Sequence, residues 1–231
     1  MFRYLIALIF FNLSCIHKSP VNYENKHKQK FENFIFLKSI IEINEELTVE
    51  EANASGVLYR EENGLIYILT AAHFCDPKSF NLNQMFESPA GKRKIIIYNQ
   101  KTERFGMIFK IDIEQDLCMI VGLKQENESF QSARFAKKMP RIGEKIYNTG
   151  APDGISGPSI RILLDGYFSG CNFSPAKYCL YTIPATFGSS GSAVYNSRGE
   201  IISIIVAANP GFENISMGPD IYNIRKFIGL L

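Results

Sequence analysis

The stretch Phe187-Gly188-Ser189-Ser190-Gly191-Ser192-Ala193-Val194 is a glycine-rich turn that runs directly into a β-branched strand. Glycine permits backbone angles that let successive N–H groups point towards one spot, where an oxyanion would be held. The turn also exposes the hydroxyl of a serine that lies between glycines. These features predict that Ser190 is a nucleophile, although a Gly-x-Ser-Gly segment is also typical of an ordinary hairpin turn.

A serine hydroxyl is a poor nucleophile at neutral pH unless a base accepts its proton, and histidine is the base with a suitable pKa. The chain has 3 histidines. His17 and His27 lie in a polar segment, where solvated side chains are expected. His73 instead closes an apolar strand, Ile66 to Thr70, and follows two alanines, so a tight turn would hold its imidazole at the strand end. We predict that His73 is the base; a structural histidine that only hydrogen-bonds is the alternative.

The base in turn needs a carboxylate that orients its ring. Asp116 fits this role because it opens the apolar strand Leu117 to Val121, which would draw the carboxylate against the protein core. Asp112 lies nearby, but the residues after it are too polar for that position. A plain turn residue at the start of a strand is the alternative interpretation of Asp116.

These residues lie in motifs that resemble those of the trypsin-like (chymotrypsin-fold) serine proteases. Leu69-Thr70-Ala71-Ala72-His73 resembles the histidine motif of that family, Asp116-Leu117-Cys118-Met119-Ile120 the aspartate motif, and Gly188-Ser189-Ser190-Gly191-Ser192 the serine motif. The chain order of histidine, aspartate and serine agrees as well. Shorter matches are Ser55-Gly56-Val57, Gly150-Ala151-Pro152-Asp153-Gly154 and Gly199-Glu200-Ile201-Ile202-Ser203. The resemblance is closest to the bacterial branch with HtrA-type catalytic domains and glutamyl endopeptidases.

The resemblance implies a serine endopeptidase that acts on proteins or peptides and needs no metal or organic cofactor. Ser190 would attack the peptide carbonyl, His73 would move the proton, and Asp116 would hold the imidazole. The backbone N–H groups of Gly188 and Ser190 would form the oxyanion hole. A protease fold that has lost activity and serves as a binding or adhesion module at the cell envelope is the alternative.

Short apolar segments separated by Gly, Pro and Asn predict an all-β fold of the sandwich or barrel type, and the resemblance implies two antiparallel six-stranded barrels. We expect a protease domain over residues 34–231, with barrel 1 at about 34–122 and barrel 2 at about 139–208. The segment Phe34 to Ile43 fits a strand or a short helix, and Asn44 to Asn53 looks like a loop. Apolar residues at helical spacing predict a C-terminal helix over residues 219–231.

The resemblance also indicates which residues would line the pocket for the side chain before the cleaved bond. They are Pro184, Thr186, Ile204, Ile205 and Val206. This region contains no acidic residue, which argues against a preference for Arg or Lys. It also contains no histidine, which removes the usual support for a glutamyl preference. A small or apolar residue is therefore expected.

The N-terminus predicts export. Residues 1–15 combine Arg3, an apolar run and a small residue before Cys15, and residues 16–33 form a polar tether. The cysteine context resembles the box at which bacterial lipoproteins are lipidated, which would attach the protein to a membrane through Cys15. Ordinary secretion and an uncleaved anchor remain open. The oligomeric state cannot be predicted from this sequence.

The cysteine content agrees with export, and the charge excludes one class of partner. A net charge of +2, with 25 basic and 23 acidic residues mixed along the chain, gives no electrostatic basis for binding nucleic acid. Apart from Cys15, four cysteines can form two bridges. Cys171 and Cys179 flank a turn-prone insert and predict a hairpin disulfide. Cys75 and Cys118 form either a second bridge or two buried free thiols.

Overall fold

The structure is a computed structural model that describes residues 33–42, 48–76, 92–99, 102–126, 128, 130–156, 160–172, 178–209, 211–212 and 214–231. Its first half is a closed antiparallel barrel of six strands in the order β1-β2-β3-β6-β5-β4. The strands are β1 (Phe34–Glu42), β2 (Thr48–Glu62), β3 (Leu65–Ala71), β4 (Lys92–Asn99), β5 (Thr102–Asp112) and β6 (Leu117–Leu123). A four-residue helix, α1 (Ala72–Cys75), follows β3 directly.

The strand pattern of β3 explains how the barrel lies against the rest of the protein. Side chains alternate between the two faces of a strand. Ile66 and Ile68 pack into a core made of first-barrel residues, whereas Tyr67 and Leu69 pack into a second core shared with the other half of the chain. Because both faces of β3 are buried, its sequence is an almost continuous apolar run that ends at the site.

The second half is a seven-stranded sheet in the order β11-β10-β7-β8-β9-β13-β12. The strands are β7 (Lys145–Gly150), β8 (Ile162–Asn172), β9 (Tyr178–Tyr181), β10 (Ala193–Asn196), β11 (Ile201–Ile204), β12 (Ala207–Ala208) and β13 (Ser216–Gly218). A Cβ atom on Gly218 would lie only 1.9 Å from the Ile204 carbonyl oxygen, so β13 approaches β11 across the sheet.

The structure confirms the predicted all-β fold and its first six-stranded barrel. It differs from the expected second barrel in strand number, because two very short strands follow residue 206 and pair with each other and with β9. Strands of two and three residues are too short to show an alternating pattern. The segment interpreted as a strand or helix is strand β1, and the predicted loop is wrong from Thr48 onward, where β2 begins.

The C-terminal helix, α2, is shorter than predicted and covers Ile221–Phe227. The Asp220 side chain caps it by accepting a hydrogen bond from Asn223 N–H at 2.8 Å. Gly229, with a φ of +75°, ends it. Ile221, Ile224 and Phe227 are buried against the second core, whereas Leu231, expected on the same face, is exposed.

Candidate active site

His73 and Asp116 are neighbours because β3 and β6 are antiparallel. The register pairs Ala71 with Leu117, so the next residue of each strand, Ala72 and Asp116, lie opposite each other just beyond the strands. A backbone hydrogen bond from Ala72 N–H to the Asp116 carbonyl oxygen, 3.2 Å long, extends the ladder by one step. His73, the second residue of α1, therefore lies directly beside the carboxylate.

Both carboxylate oxygens of Asp116 bind His73. Oδ2 lies 2.8 Å from the ring nitrogen Nδ1, and Oδ1 accepts a hydrogen bond from the His73 backbone N–H at 2.9 Å. Asp116 has a φ of +51°, a left-handed conformation that aspartate tolerates better than most residues. The two contacts fix the imidazole relative to its own backbone.

Ser190 completes the arrangement from the other half of the chain. Its Oγ lies 2.8 Å from His73 Nε2. An ionised carboxylate only accepts hydrogen bonds, so Asp116 requires the proton on Nδ1 and leaves the Nε2 lone pair free to accept the serine proton. The structure thus brings the three predicted residues into one hydrogen-bonded chain in which serine faces a base.

In the serine loop, Phe187–Ser192, the carbonyl oxygens of residues 187 to 190 all accept hydrogen bonds. Phe187 O accepts from Asp153 N–H at 2.6 Å, Gly188 O from Ser55 Oγ at 2.8 Å, and Ser190 O from Ser55 N–H at 2.8 Å. The Ser189 carbonyl accepts from Ser192 N–H within the loop. All four peptide groups between residues 187 and 191 are therefore oriented through their oxygen atoms.

The N–H groups of the loop divide into two sets. Those of Ser189 and Gly191 donate to the carbonyls of Thr186 and Ile205, at 3.0 and 2.7 Å. Those of Gly188 and Ser190 donate to no acceptor within the part of the chain that the structure describes. A trans peptide points its N–H opposite to its carbonyl, so these two donors face away from the groups that bind Phe187 O and Ser189 O. They are the two N–H groups expected to stabilise an oxyanion.

A short 3₁₀ turn, Pro152–Gly154, packs against the serine loop. Gly188 has a φ of +83°, and a Cβ atom there would lie 2.2 Å from the Ala151 carbonyl oxygen, so only glycine fits between the loop and this turn. Asp153 also has a positive φ, of +51°, and its N–H donates to Phe187 O. Its Oδ1 accepts a hydrogen bond from Thr186 Oγ1 at 3.1 Å.

The residues predicted to line a specificity pocket separate into two groups. Pro184 and Thr186 are exposed, and Val206 is half-buried. Ile204, the last residue of β11, and Ile205, which follows it, are both buried in the second core, and their place in the pocket stays a prediction. Ile205 contributes to the site through its carbonyl, which binds Gly191 N–H.

Both predicted disulfides are present. Cys75 of α1 is bonded to Cys118 of β6, which resolves the choice between a bridge and free thiols. Each of these cysteines lies two residues beyond a member of the site, His73 or Asp116, so the bridge clamps the two segments together. Cys171 and Cys179 pair across β8 and β9 at the register position where the two residues face each other.

Sequence reasoning missed the structural roles of Ser55 and Asp153. Both lie in segments that were matched as short motifs, without a role for either side chain. The dipeptide Asp153-Gly154, with φ values of +51° and +70°, was the available signal for a left-handed turn. No sequence signal shows that Ser55, far away in the chain, faces Gly188.

The remaining predictions concern the N-terminus, metal ions and the membrane. Cys15, the export signal and the tether to residue 32 lie outside the described residues. Among the described residues no group of three His, Cys, Asp or Glu side chains is arranged to hold a metal ion. No helix within the described ranges has both the length and the hydropathy needed to cross a membrane.

Comparison with known proteins identifies the family. The trypsin-like peptidase domain matches residues 54–204, more than half of the chain. The "Serine protease HtrA-like" of Staphylococcus aureus (strain bovine RF122 / ET3-1) is 25% identical over 189 residues, which cover 75% of this chain and 23% of that protein. The chain thus spans about a quarter of that relative's length.

Two solved structures have the same fold. The serine endoprotease from Yersinia pestis superposes with a TM-score of 0.66 at 17% identity, covering 91% of this chain and 66% of its own. The active form of the Rv3671c protease from M. tuberculosis gives 0.63 at 12% identity, covering 87% and 82%. These structures show the fold, and the match over residues 54–204 confirms the expected resemblance: the chain belongs to the trypsin-like peptidase domain family.

Proposed function

We propose that this protein is an exported serine endopeptidase that cleaves proteins or peptides through Ser190, His73 and Asp116. The observation that carries the proposal is the continuous hydrogen-bonded chain from Asp116 Oδ2 through the imidazole to Ser190 Oγ, with both contacts at 2.8 Å. Family membership supports the same chemistry, because serine proteases are what the family match and the relatives have in common.

In the first half of the reaction, Ser190 Oγ attacks the carbonyl carbon of the peptide while its proton moves to His73 Nε2. The carbonyl π electrons become the oxyanion, which the N–H groups of Gly188 and Ser190 stabilise. The C–N bond then breaks, and His73 gives the proton to the leaving amine. An acyl ester on Ser190 remains.

In the second half, water attacks the acyl ester and gives a proton to the same imidazole. The ester C–O bond breaks, the proton returns to Ser190 Oγ, and the carboxylic acid leaves. Asp116 stays ionised throughout and stabilises the imidazolium that forms in each half. Each missing oxyanion donor would lower kcat about 100- to 1000-fold, by analogy with measured cases.

Labelling with a fluorophosphonate probe tests this function, because the probe reacts with activated serine hydroxyls. The purified protein should be labelled, and Ser190→Ala and His73→Ala should each abolish labelling. Ser197→Ala, which changes an exposed serine shortly after the loop, is the matched control and should be labelled like the parent. A folded parent protein that stays unlabelled and binds peptides without cutting them would instead be a binding module.

Export is part of the same proposal. The two disulfides support export, because disulfides form and persist in oxidising compartments. Metabolic labelling with a palmitate analogue separates a lipoprotein from a secreted protein. Label that is incorporated by the parent and lost in Cys15→Ala would place the lipid on that cysteine, and label that persists in the variant would exclude it.

A preference for small or apolar side chains before the cleaved bond remains the expected specificity. Pro184 and Thr186 are accessible to a substrate, and neither carries a charge. Cleavage of a peptide library, with Ser190→Ala as the control, measures the preference directly. Cleavage mainly after Arg, Lys or Glu would contradict it.

A further inference from the structure

Ser55 connects three segments at the centre of the molecule. It lies in β2 of the first barrel and is fully buried. Its Oγ donates to Gly188 O at 2.8 Å and accepts from Ala151 N–H at 2.9 Å. Its backbone N–H donates to Ser190 O at 2.8 Å. One residue of the first barrel therefore holds the serine loop at two points and the residue that precedes the 3₁₀ turn at a third.

The serine loop needs hydrogen bonds from other segments because its own backbone can rotate at Gly188. Glycine has no Cβ atom, so the peptide planes on either side of Gly188 can rotate at little steric cost. Rotation of the plane before Gly188 would exchange the directions of Phe187 O and Gly188 N–H. The N–H would then leave the oxyanion site. The direction of this donor is thus decided by what binds the neighbouring carbonyls.

The binding partners of those carbonyls converge on Ser55. Asp153 N–H holds Phe187 O, and Asp153 belongs to the turn whose preceding residue, Ala151, is bound to Ser55 Oγ. The same hydroxyl holds Gly188 O. Its removal would leave one buried carbonyl and one buried N–H without their partner, and the turn and the loop would lose the atom that joins them.

We propose that Ser55 is a positioning residue for the oxyanion hole: its hydroxyl couples the 3₁₀ turn to Gly188 and so keeps the Gly188 N–H directed at the substrate carbonyl oxygen. This role rests on the proposed function. A purely structural residue would affect folding alone. Loss of the Ser55 hydroxyl would instead slow the reaction of Ser190, and the pairing of His73 with Asp116, which other residues make, would stay intact.

The test compares Ser55→Ala with Ser203→Ala in the purified full chain. Ser203 is a matched control: it is fully buried, and its hydroxyl donates to the Pro219 carbonyl, at 2.6 Å, and to no atom of the serine loop among the described residues. The readout is the second-order rate constant for phosphonylation of Ser190 by a fluorophosphonate probe, across pH, with folding checked by near-UV circular dichroism. The probe places a phosphonyl oxygen in the oxyanion site.

Ser55→Ala should lower the plateau rate constant about 10- to 100-fold, because a misdirected donor forfeits part of the 100- to 1000-fold effect of a lost one. The midpoint of the pH profile should stay that of the parent, since the base is unchanged. Ser203→Ala should stay within about threefold of the parent, because it leaves every donor in place. A folded Ser55→Ala that reacts at the parental rate, or that only shifts the midpoint, overturns the role of Ser55.

A second variant covers the case in which Ser55→Ala does not fold. Asp153→Gly removes the carboxylate that accepts the hydrogen bond from Thr186 Oγ1, while glycine keeps the positive φ of the turn, and it should slow phosphonylation about threefold to tenfold. A parental rate for Asp153→Gly would overturn the coupling between turn and loop. If the parent protein is not labelled, both the proposed function and the role of Ser55 fail. If the parent is labelled and the variants react at the parental rate, only the role of Ser55 fails.

Discussion

Removal of the Cys75–Cys118 bridge should cost more stability than removal of the Cys171–Cys179 bridge. The first closes a loop with a sequence separation of 43 residues and the second a loop of 8. On the chain-entropy account, the longer loop gives about 4 kcal/mol and the shorter about 2.5 kcal/mol. The double variants Cys75→Ala/Cys118→Ala and Cys171→Ala/Cys179→Ala therefore form a natural comparison.

The two bridges should also differ in their effect on catalysis. Cys75 and Cys118 follow His73 and Asp116 by two residues each, so the first double variant loosens the segments that hold base and acid together. The second bridge lies between β8 and β9, away from those segments. Only the first double variant should lose hydrolysis or probe labelling at temperatures where it is still folded.

Urea unfolding followed by tyrosine fluorescence measures the first expectation, and phosphonylation rates per folded molecule measure the second. The assay should return a larger loss of unfolding free energy for Cys75→Ala/Cys118→Ala, by about 1.5 kcal/mol. Equal losses would refute the entropic argument. A parental phosphonylation rate in the folded first variant would refute the clamp between His73 and Asp116.

Three further predictions concern single residues. Asp116→Asn should lower kcat about 10,000-fold with little change in stability: its amide oxygen can still accept from His73 N–H, but its NH₂ then faces Nδ1 and forces the proton onto Nε2. Gly188→Ala should abolish labelling and lower the melting temperature, since its Cβ would lie 2.2 Å from Ala151 O. Glu128→Gln should lower the free energy of unfolding at pH 7 by about 1 to 2 kcal/mol, measured by urea unfolding, because solvent screening weakens an ion pair that is partly open to water. Burial alone would raise the pKa of Glu128, but hydrogen bonds from Arg104, Gln125 N–H and Thr102 outweigh it and lower the pKa to about 2, so this stability is present above about pH 4.5 and is lost as the pH falls through about 2.

The three residues that the sequence predicted from short motifs are the ones that the structure joins by hydrogen bonds. His73 and Asp116 each lie at the end of an apolar strand, and antiparallel pairing of such strands brings their ends together. Ser190 lies in a glycine-rich turn whose composition already indicates an unusual backbone. Local signals of this kind survive in a single sequence because a few neighbouring residues produce them.

Other features depend on distant contacts and could not be read in the same way. Ile204 and Ile205 are buried in the same core as the apolar residues of α2, and a sequence cannot separate such positions from a pocket wall, because apolar pocket walls have the same composition as a core. The β12 and β13 strands are defined by partners rather than by their own sequence. The partner of Cys75 was open for the same reason, since 43 residues separate it from Cys118.

The role of Ser55 follows from the way the two halves of the fold meet. The proposed base and acid belong to the first barrel, whereas the proposed nucleophile and both proposed oxyanion donors belong to a loop of the second sheet. Activity therefore requires the loop to be held in register with the first barrel to within a few tenths of an ångström. Ser55 provides three hydrogen bonds across that boundary, from a strand that pairs directly with β3, the strand that ends beside His73. The same residue thus ties the position of the donors to the position of the base, which explains why a buried serine hydroxyl, rather than an apolar side chain, fits at this point of β2.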